Sequence, residues 1–282
     1  MYPWIRKNND EPLNEITKNG VTWLSFPALE KTGMVKHAFS TRMGGVSKGP
    51  YATMNFSFTR GDDPADVKEN YRRMAEALEV DMNRMVLTWQ THTTNVRVVT
   101  EEDFGKGVVR DRDYRDVDGL VTNIPGVTLI TFFADCVPLY FVDKKNHAIG
   151  LSHSGWRGTV NRMGQETLRV MAREFGTDPK DVTACVGPSI CQDCYEVGPE
   201  VIEQFAKAFD EKHHDRLFYE KPNGKYQLNL WEANRIVLSE AGVPEENISV
   251  TDICTHCNPD LLFSHRRTAE KRGNLCAFLT LK

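Results

Sequence analysis

The sequence predicts an α/β fold, a single mixed-sheet domain with flanking helices, and three observations carry that expectation. Short apolar, β-branched and aromatic runs are interspersed with stretches of helical periodicity along the 282 residues. The most apolar run, 127–133, is followed by two more, 139–142 and 147–152, which are separated by Asp143-Lys144-Lys145-Asn146 in the manner of a hairpin. There is no repeat, low-complexity tract or convincing linker, and the chain is long enough to bury a substantial core.

In chain order, residues 1–20 are polar and read as a loose leader, which leaves 21–282 as the domain. Runs 21–26 and 35–41 read as strands. The second passes Ser40 and enters Arg42-Met43-Gly44-Gly45-Val46-Ser47, where paired glycines beside an arginine form either a plain turn or an anion-holding loop. Asp63-Pro64 opens a helix that runs to Val80, with Val67, Tyr71, Met74, Ala75 and Leu78 as its buried stripe. Strands at 85–89 and 96–99 flank a polar turn that holds His92. Residues 101–115 are charge-rich and read as a surface connector. A helix is expected over 159–175, a strand at 182–186, helices at 199–209 and 230–241, and closing strands at 248–253 and 275–281.

The net charge of -4 leaves no basic field to attract nucleic acid or an acidic membrane. The longest nearly apolar stretch, 127–142, is interrupted by Asp135 and Pro138 and falls short of the ~20 residues a membrane helix needs. The first residues, Met1-Tyr2-Pro3-Trp4-Ile5-Arg6-Lys7, lack the apolar segment of a signal peptide, so a cytoplasmic location is expected. Seven cysteines in that setting read as thiols or metal ligands rather than a disulfide framework.

Chemistry concentrates where the central runs end. Asp135 and Cys136 close the first of them, and an unpaired buried carboxylate is costly enough to demand a purpose. His153 ends the third, amid Ser154, Gly155, Trp156, Arg157 and Gly158. His92, Cys136 and His153 form a plausible zinc set, since three protein ligands leave a fourth position for a reactant. The same residues also suit a metal-free nucleophile, with Cys136 attacking and His153 as its base. The pairs Cys191/Cys194 and Cys254/Cys257 have the spacing of zinc knuckles. The 59 residues between them exceed a zinc ribbon's usual separation, so independent thiols are the expectation.

Several motifs in order through nearly the whole chain give a family resemblance. They are Ser40-Thr41-Arg42-Met43-Gly44-Gly45-Val46-Ser47, Gly61-Asp62-Asp63-Pro64, Gln90-Thr91-His92, Ala134-Asp135-Cys136-Val137-Pro138, His153-Ser154-Gly155-Trp156-Arg157-Gly158, Gly187-Pro188-Ser189-Ile190, Cys194-Tyr195-Glu196-Val197 and Phe263-Ser264-His265-Arg266-Arg267. Together they resemble the YlmD/YfiH family, variously labelled laccase domain, polyphenol oxidase and purine nucleoside phosphorylase. The resemblance implies a fold shared in outline with cytotoxic-necrotising-factor deamidases, and zinc held by His92, Cys136 and His153. It also implies phosphorolysis of adenosine, inosine, guanosine and methylthioadenosine, with hydrolytic deamination of adenosine.

On that reading the partners are purine nucleosides and phosphate, and the chain is a monomer or homodimer. Cys136 and His153 are catalytic and Asp135 carries protons. Arg42 with the Gly44 and Gly45 amides, beside Ser40, seats phosphate, and Trp156 offers a face to the base. One departure stands out: where the family ends in Thr-Gly-Arg, this chain has Lys271-Arg272-Gly273-Asn274. Copper oxidation is disfavoured by counting, because a multicopper site needs about ten imidazoles and this chain has eight histidines with no His-x-His pair.

Overall fold

A computed structural model describes residues 2–8, 10 and 12–282. Its strands, in chain order, begin with β1 Asn14–Lys18, β2 Val21–Ser25, β3 Val35–Ser40, β4 Met85–Leu87 and β5 Val96–Val98. They continue with β6 Gly119–Thr122, β7 Thr128–Phe133, β8 Val137–Asp143, β9 Ala148–Ser154 and β10 Val182–Val186. The last are β11 Glu196–Val197, β12 Phe218–Glu220, β13 Tyr226–Leu228, β14 Ile248–Val250 and β15 Leu275–Leu281. The mixed α/β expectation holds, with the strands distributed over two six-stranded sheets, β1-β2-β3-β15-β7-β4 and β14-β10-β8-β9-β6-β5, and a small sheet β11-β13-β12. Each large sheet is mostly antiparallel with parallel pairing at its margins, β4 on β7 in the first and β5 on β6 and β14 on β10 in the second.

The two large sheets face each other across a shared core. Leu24, Phe39, Leu129 and Leu279 of the first meet Leu120, Tyr140, Ile149 and Leu151 of the second. Successive strand residues point to opposite faces, so β8 sends Tyr140 and Val142 inward while Leu139 and Phe141 point the other way. That outer face is covered by helices Met163–Phe175, Pro199–Ala208 and Leu230–Glu240. Helix Pro64–Leu78 covers the outer face of the first sheet through Val67, Tyr71 and Met74. Both sheets are therefore apolar on both faces, which is why 127–142 reads as a nearly continuous apolar stretch. Asp63 caps its helix by accepting from the Ala65 amide at 2.8 Å, with Pro64 in the first turn as expected.

Three expectations need correction. Within the leader expected to be loose over 1–20, described residues are held in place: β1 pairs with β2, and Arg6 donates to the fully buried Asp252 at 2.8 and 3.0 Å. Burying that carboxylate requires its cation, which ties the first residues to the far end of the chain. The connector at 101–115 is not merely superficial, because Asp103 is fully buried and bonded by Arg97 and Lys106. The single helix over 159–175 is two, Trp156–Val160 and Met163–Phe175, because Arg162 adopts a left-handed conformation at φ 61°. Among the described residues no helix is long and apolar enough to cross a membrane.

Candidate metal centre

Three chain segments converge at a cavity of about 820 Å³. His92 stands in the turn after β4, Cys136 directly before β8, and His153 near the end of β9. The β8–β9 register sets Pro138 opposite His153, so the hairpin returns Cys136 and His153 to one edge. His92 arrives from the other sheet, and Gln90 fixes its approach by bonding both the carbonyl and the amide of Phe132, at 2.8 and 2.6 Å. The ligand atoms of the three residues all lie within 4.8 Å of one another, with Cys136 Sγ 4.0 Å from His92 Nε2. Two imidazoles and one thiol in that arrangement have the composition of a metal site with a position left open.

Asp118 assembles the site, and sequence reasoning passed over it. Fully buried, it accepts from the amides of Thr91, His92 and Thr93 at 3.0, 3.1 and 3.1 Å, which holds the His92 turn. Its Oδ1 also lies 2.8 Å from His153 Nδ1, which leaves His153 Nε2 as the free ring nitrogen. The available signal was a carboxylate entering a buried apolar run, the same cue that drew notice to Asp135. Gly155 packs closely against the site: a Cβ there would stand 3.0 Å from Cys136 Sγ and 3.1 Å from His92 Cδ2.

The electrostatics follow from this packing. Burial pushes the Cys136 thiol up, but the imidazoles of His153 and then His92 outweigh it and bring the thiol down to about 6. Burial pulls His153 down, while the Cys136 sulfur and Asp118 together raise it to about 9. Asp118 would be raised by burial, yet its bond from His153 and the backbone amides hold it below the usual carboxylate range.

Asp135 lines the cavity at φ 90°, a conformation a non-glycine residue adopts only where its surroundings enforce it. Its two oxygens accept from Thr255 Oγ1 and from the Arg266 amide, each at 2.6 Å. Cations to which sequence reasoning gave no role also line the cavity. Arg272 is nearly buried, its Nε without a partner, and it is brought down to about 10 by burial and then by the charge of Arg60. Arg60, Arg112 and Arg266 stand around the same space, with the rings of Trp89, Phe132 and Tyr195 between them.

The segment expected to seat phosphate stands elsewhere. None of Ser40, Arg42, Gly44, Gly45 or Trp156 lines the cavity. Arg42 spends its donors on the carbonyls of Ala52 and Pro259 at 2.8 and 2.6 Å and lies over the Phe263 ring. Ser40 Oγ accepts from the Cys276 amide. The two glycines allow close backbone approach, since a Cβ on Gly44 would meet Gly20 O at 2.2 Å and one on Gly45 would meet Thr53 O at 2.0 Å. Trp156 packs half-buried against the helical side of the second sheet, beneath Arg157. The four cysteines expected to be independent, Cys191, Cys194, Cys254 and Cys257, instead meet at one place.

A family model described as "Multi-copper polyphenol oxidoreductase laccase" matches residues 36–282. Purine nucleoside phosphorylase YlmD of Bacillus subtilis is 37% identical over 248 residues, covering 86% of this chain and 87% of that protein. Adenosine deaminase RL5, from an unknown prokaryotic organism, is 36% identical over 87% of this chain and 95% of its own length. The crystal structure of the protein YfiH from Bacillus licheniformis superposes with a TM-score of 0.89 at 32% identity, over 96% of this chain and 99% of that one. Fold, motif order and similarity across nearly the whole length agree, and the chain belongs to the YlmD/YfiH family, the family that the laccase description covers.

Proposed function

We propose that this chain is a zinc-dependent purine nucleoside phosphorylase, acting on adenosine, inosine, guanosine and methylthioadenosine, that also deaminates adenosine. The observation that carries the reading is the meeting of His92, Cys136 and His153 at a cavity that also presents the partly unsatisfied guanidinium of Arg272. The names of two relatives, a purine nucleoside phosphorylase and an adenosine deaminase, support the same pair of reactions. Two imidazoles and a thiolate suit zinc. A copper electron-transfer centre built on that set adds a weak axial ligand, and no methionine lines the cavity while the Gln90 amide there is engaged at both ends by Phe132. A multicopper assembly is unsupported too, because the metal-ligand clusters among the described residues contain two histidines in all.

When bound, zinc supplies Lewis acidity and an activated water near neutral pH. Asp118 orients His153 and the turn bearing His92, and Asp135 presents a carboxylate able to take up and return a proton. In deamination, water adds to the purine carbon bearing the amine and ammonia departs. In phosphorolysis a phosphate oxygen attacks the sugar carbon, the bond to the purine breaks, and the base takes a proton. Arg272 and Arg60, whose charges oppose each other across the cavity, would hold that phosphate in place of Arg42. Trp89, Phe132 and Tyr195 provide aromatic surface for the base. Seven unpaired cysteines accord with a cytoplasmic setting.

The lowered Cys136 thiol, backed by His153 and Asp118, favours one alternative, a metal-free cysteine hydrolase or deamidase. Chromatography of inosine and adenosine incubations with and without phosphate separates the readings. Hypoxanthine released only with phosphate and inosine formed from adenosine are expected. Absence of both products, from protein that carries zinc, would overturn the proposal.

A further inference from the structure

Four cysteines outside the cavity come together from two distant segments. Cys191 precedes, and Cys194 closes, a single 3-10 turn, Gln192–Cys194. Cys254 and Cys257 lie in the loop after β14, and an isolated bridge pairs Ser189 with Cys254. All four sulfurs lie within 4.8 Å of one another, and Cys194 Sγ is 3.5 Å from Cys257 Sγ. A tetrahedral zinc ion with Zn–S bonds of ~2.3 Å sets its sulfurs roughly 3.8 Å apart, whereas a disulfide draws two of them to about 2 Å. The spacing suits one shared ion better than two bridges.

The backbone is arranged for thiolates. The Cys191 amide donates to Cys254 Sγ at 3.2 Å. The amides of Cys194 and Cys257 favour negative charge on the sulfurs of Cys191 and Cys254 respectively. Lys7 adds positive charge beside the group and pairs with Asp193 at 3.0 Å.

We propose that Cys191, Cys194, Cys254 and Cys257 hold a structural zinc ion, distinct from any ion at His92, Cys136 and His153. Four protein ligands close the coordination shell, so this ion takes no part in chemistry. Binding replaces thiol protons with metal bonds and clamps two loops that build the cavity. One brings Ile190 and Tyr195 to its wall and bonds Asp135 through the Ile190 amide; the other supplies Thr255 to the Asp135 carboxylate.

Metal analysis of purified Cys136→Ala protein tests this without touching the four sulfurs. About one zinc per chain is expected to remain, and to be released as an organomercurial titrates the cysteines. Cys194→Ser and Cys257→Ser, in the otherwise native chain, are each expected to lose one zinc equivalent and to melt at lower temperature. Cys136→Ala protein with no zinc, its four sulfurs recovered as alkylatable thiols or as disulfides, overturns the proposal even if the serine variants fail to fold. A wild-type chain whose only zinc survives Cys136→Ala supports this site and counts instead against zinc at the catalytic one.

Discussion

Asp118 shows how a single buried carboxylate organises a reactive site. One oxygen fixes the His153 ring, and the pair of oxygens gathers three consecutive amides around His92. Its charge also helps keep His153 protonated and so, through the imidazolium, Cys136 ionised in zinc-stripped protein. Alkylation of Cys136 in that stripped protein is therefore expected to persist at neutral pH and to fall away only as pH drops through about 6, where the thiolate takes a proton. Asp118→Asn should move that midpoint upward, read by mass spectrometry of the alkylated peptide, and weaken zinc about 10- to 100-fold. Arg272 is the residue whose unsatisfied Nε and opposed charge call for an anion. Arg272→Met should raise the KM for phosphate about 10-fold or more while sparing adenosine deamination, which uses no phosphate. Equal losses in both reactions would count against phosphate at Arg272.

At the scale of elements, the β8–β9 hairpin does most of the positioning. Strict pairing from Val137↔Ser154 to Asp143↔Ala148 aligns its two ends, so Cys136 faces Gly155 and His153 without help from distant chain. Strand β3 illustrates the opposite requirement, a polar group buried by long-range packing. His37, almost inaccessible, accepts from the Phe26 amide at 2.8 Å, and burial lowers its pKa to about 3. A neutral histidine in the fold and an ordinary one in the unfolded chain give stability that is complete above about 6.5 and declines as pH falls below it. Between pH 7 and 5 that decline amounts to about 2 kcal/mol. Denaturant melts should show it in the wild type and not in His37→Gln, whose amide oxygen still accepts from Phe26. An identical acid slope in the two proteins would contradict the assignment.

At the scale of the whole molecule, what was legible in sequence is what local chain decides. The strand ending at Phe133, the hairpin after it and the histidines at the strand ends are all written in short stretches, so the three candidate ligands could be named before the fold was seen. What escaped depends on contacts across hundreds of residues. Arg42 finds its acceptor at Pro259, which no reading of the Gly44-Gly45 loop alone could disclose. Arg6 is claimed by Asp252, and the two cysteine pairs meet because β10 and β14 lie side by side. Arg272 reaches the cavity although the chain lacks the family's usual closing motif.

The central claim is that turnover of nucleosides depends on an ion held by His92, Cys136 and His153. Its most direct test is zinc content and activity measured side by side in Cys136→Ala protein and the wild type. One zinc equivalent should vanish together with both inosine phosphorolysis and adenosine deamination. Turnover that survives the loss of that zinc would contradict the account.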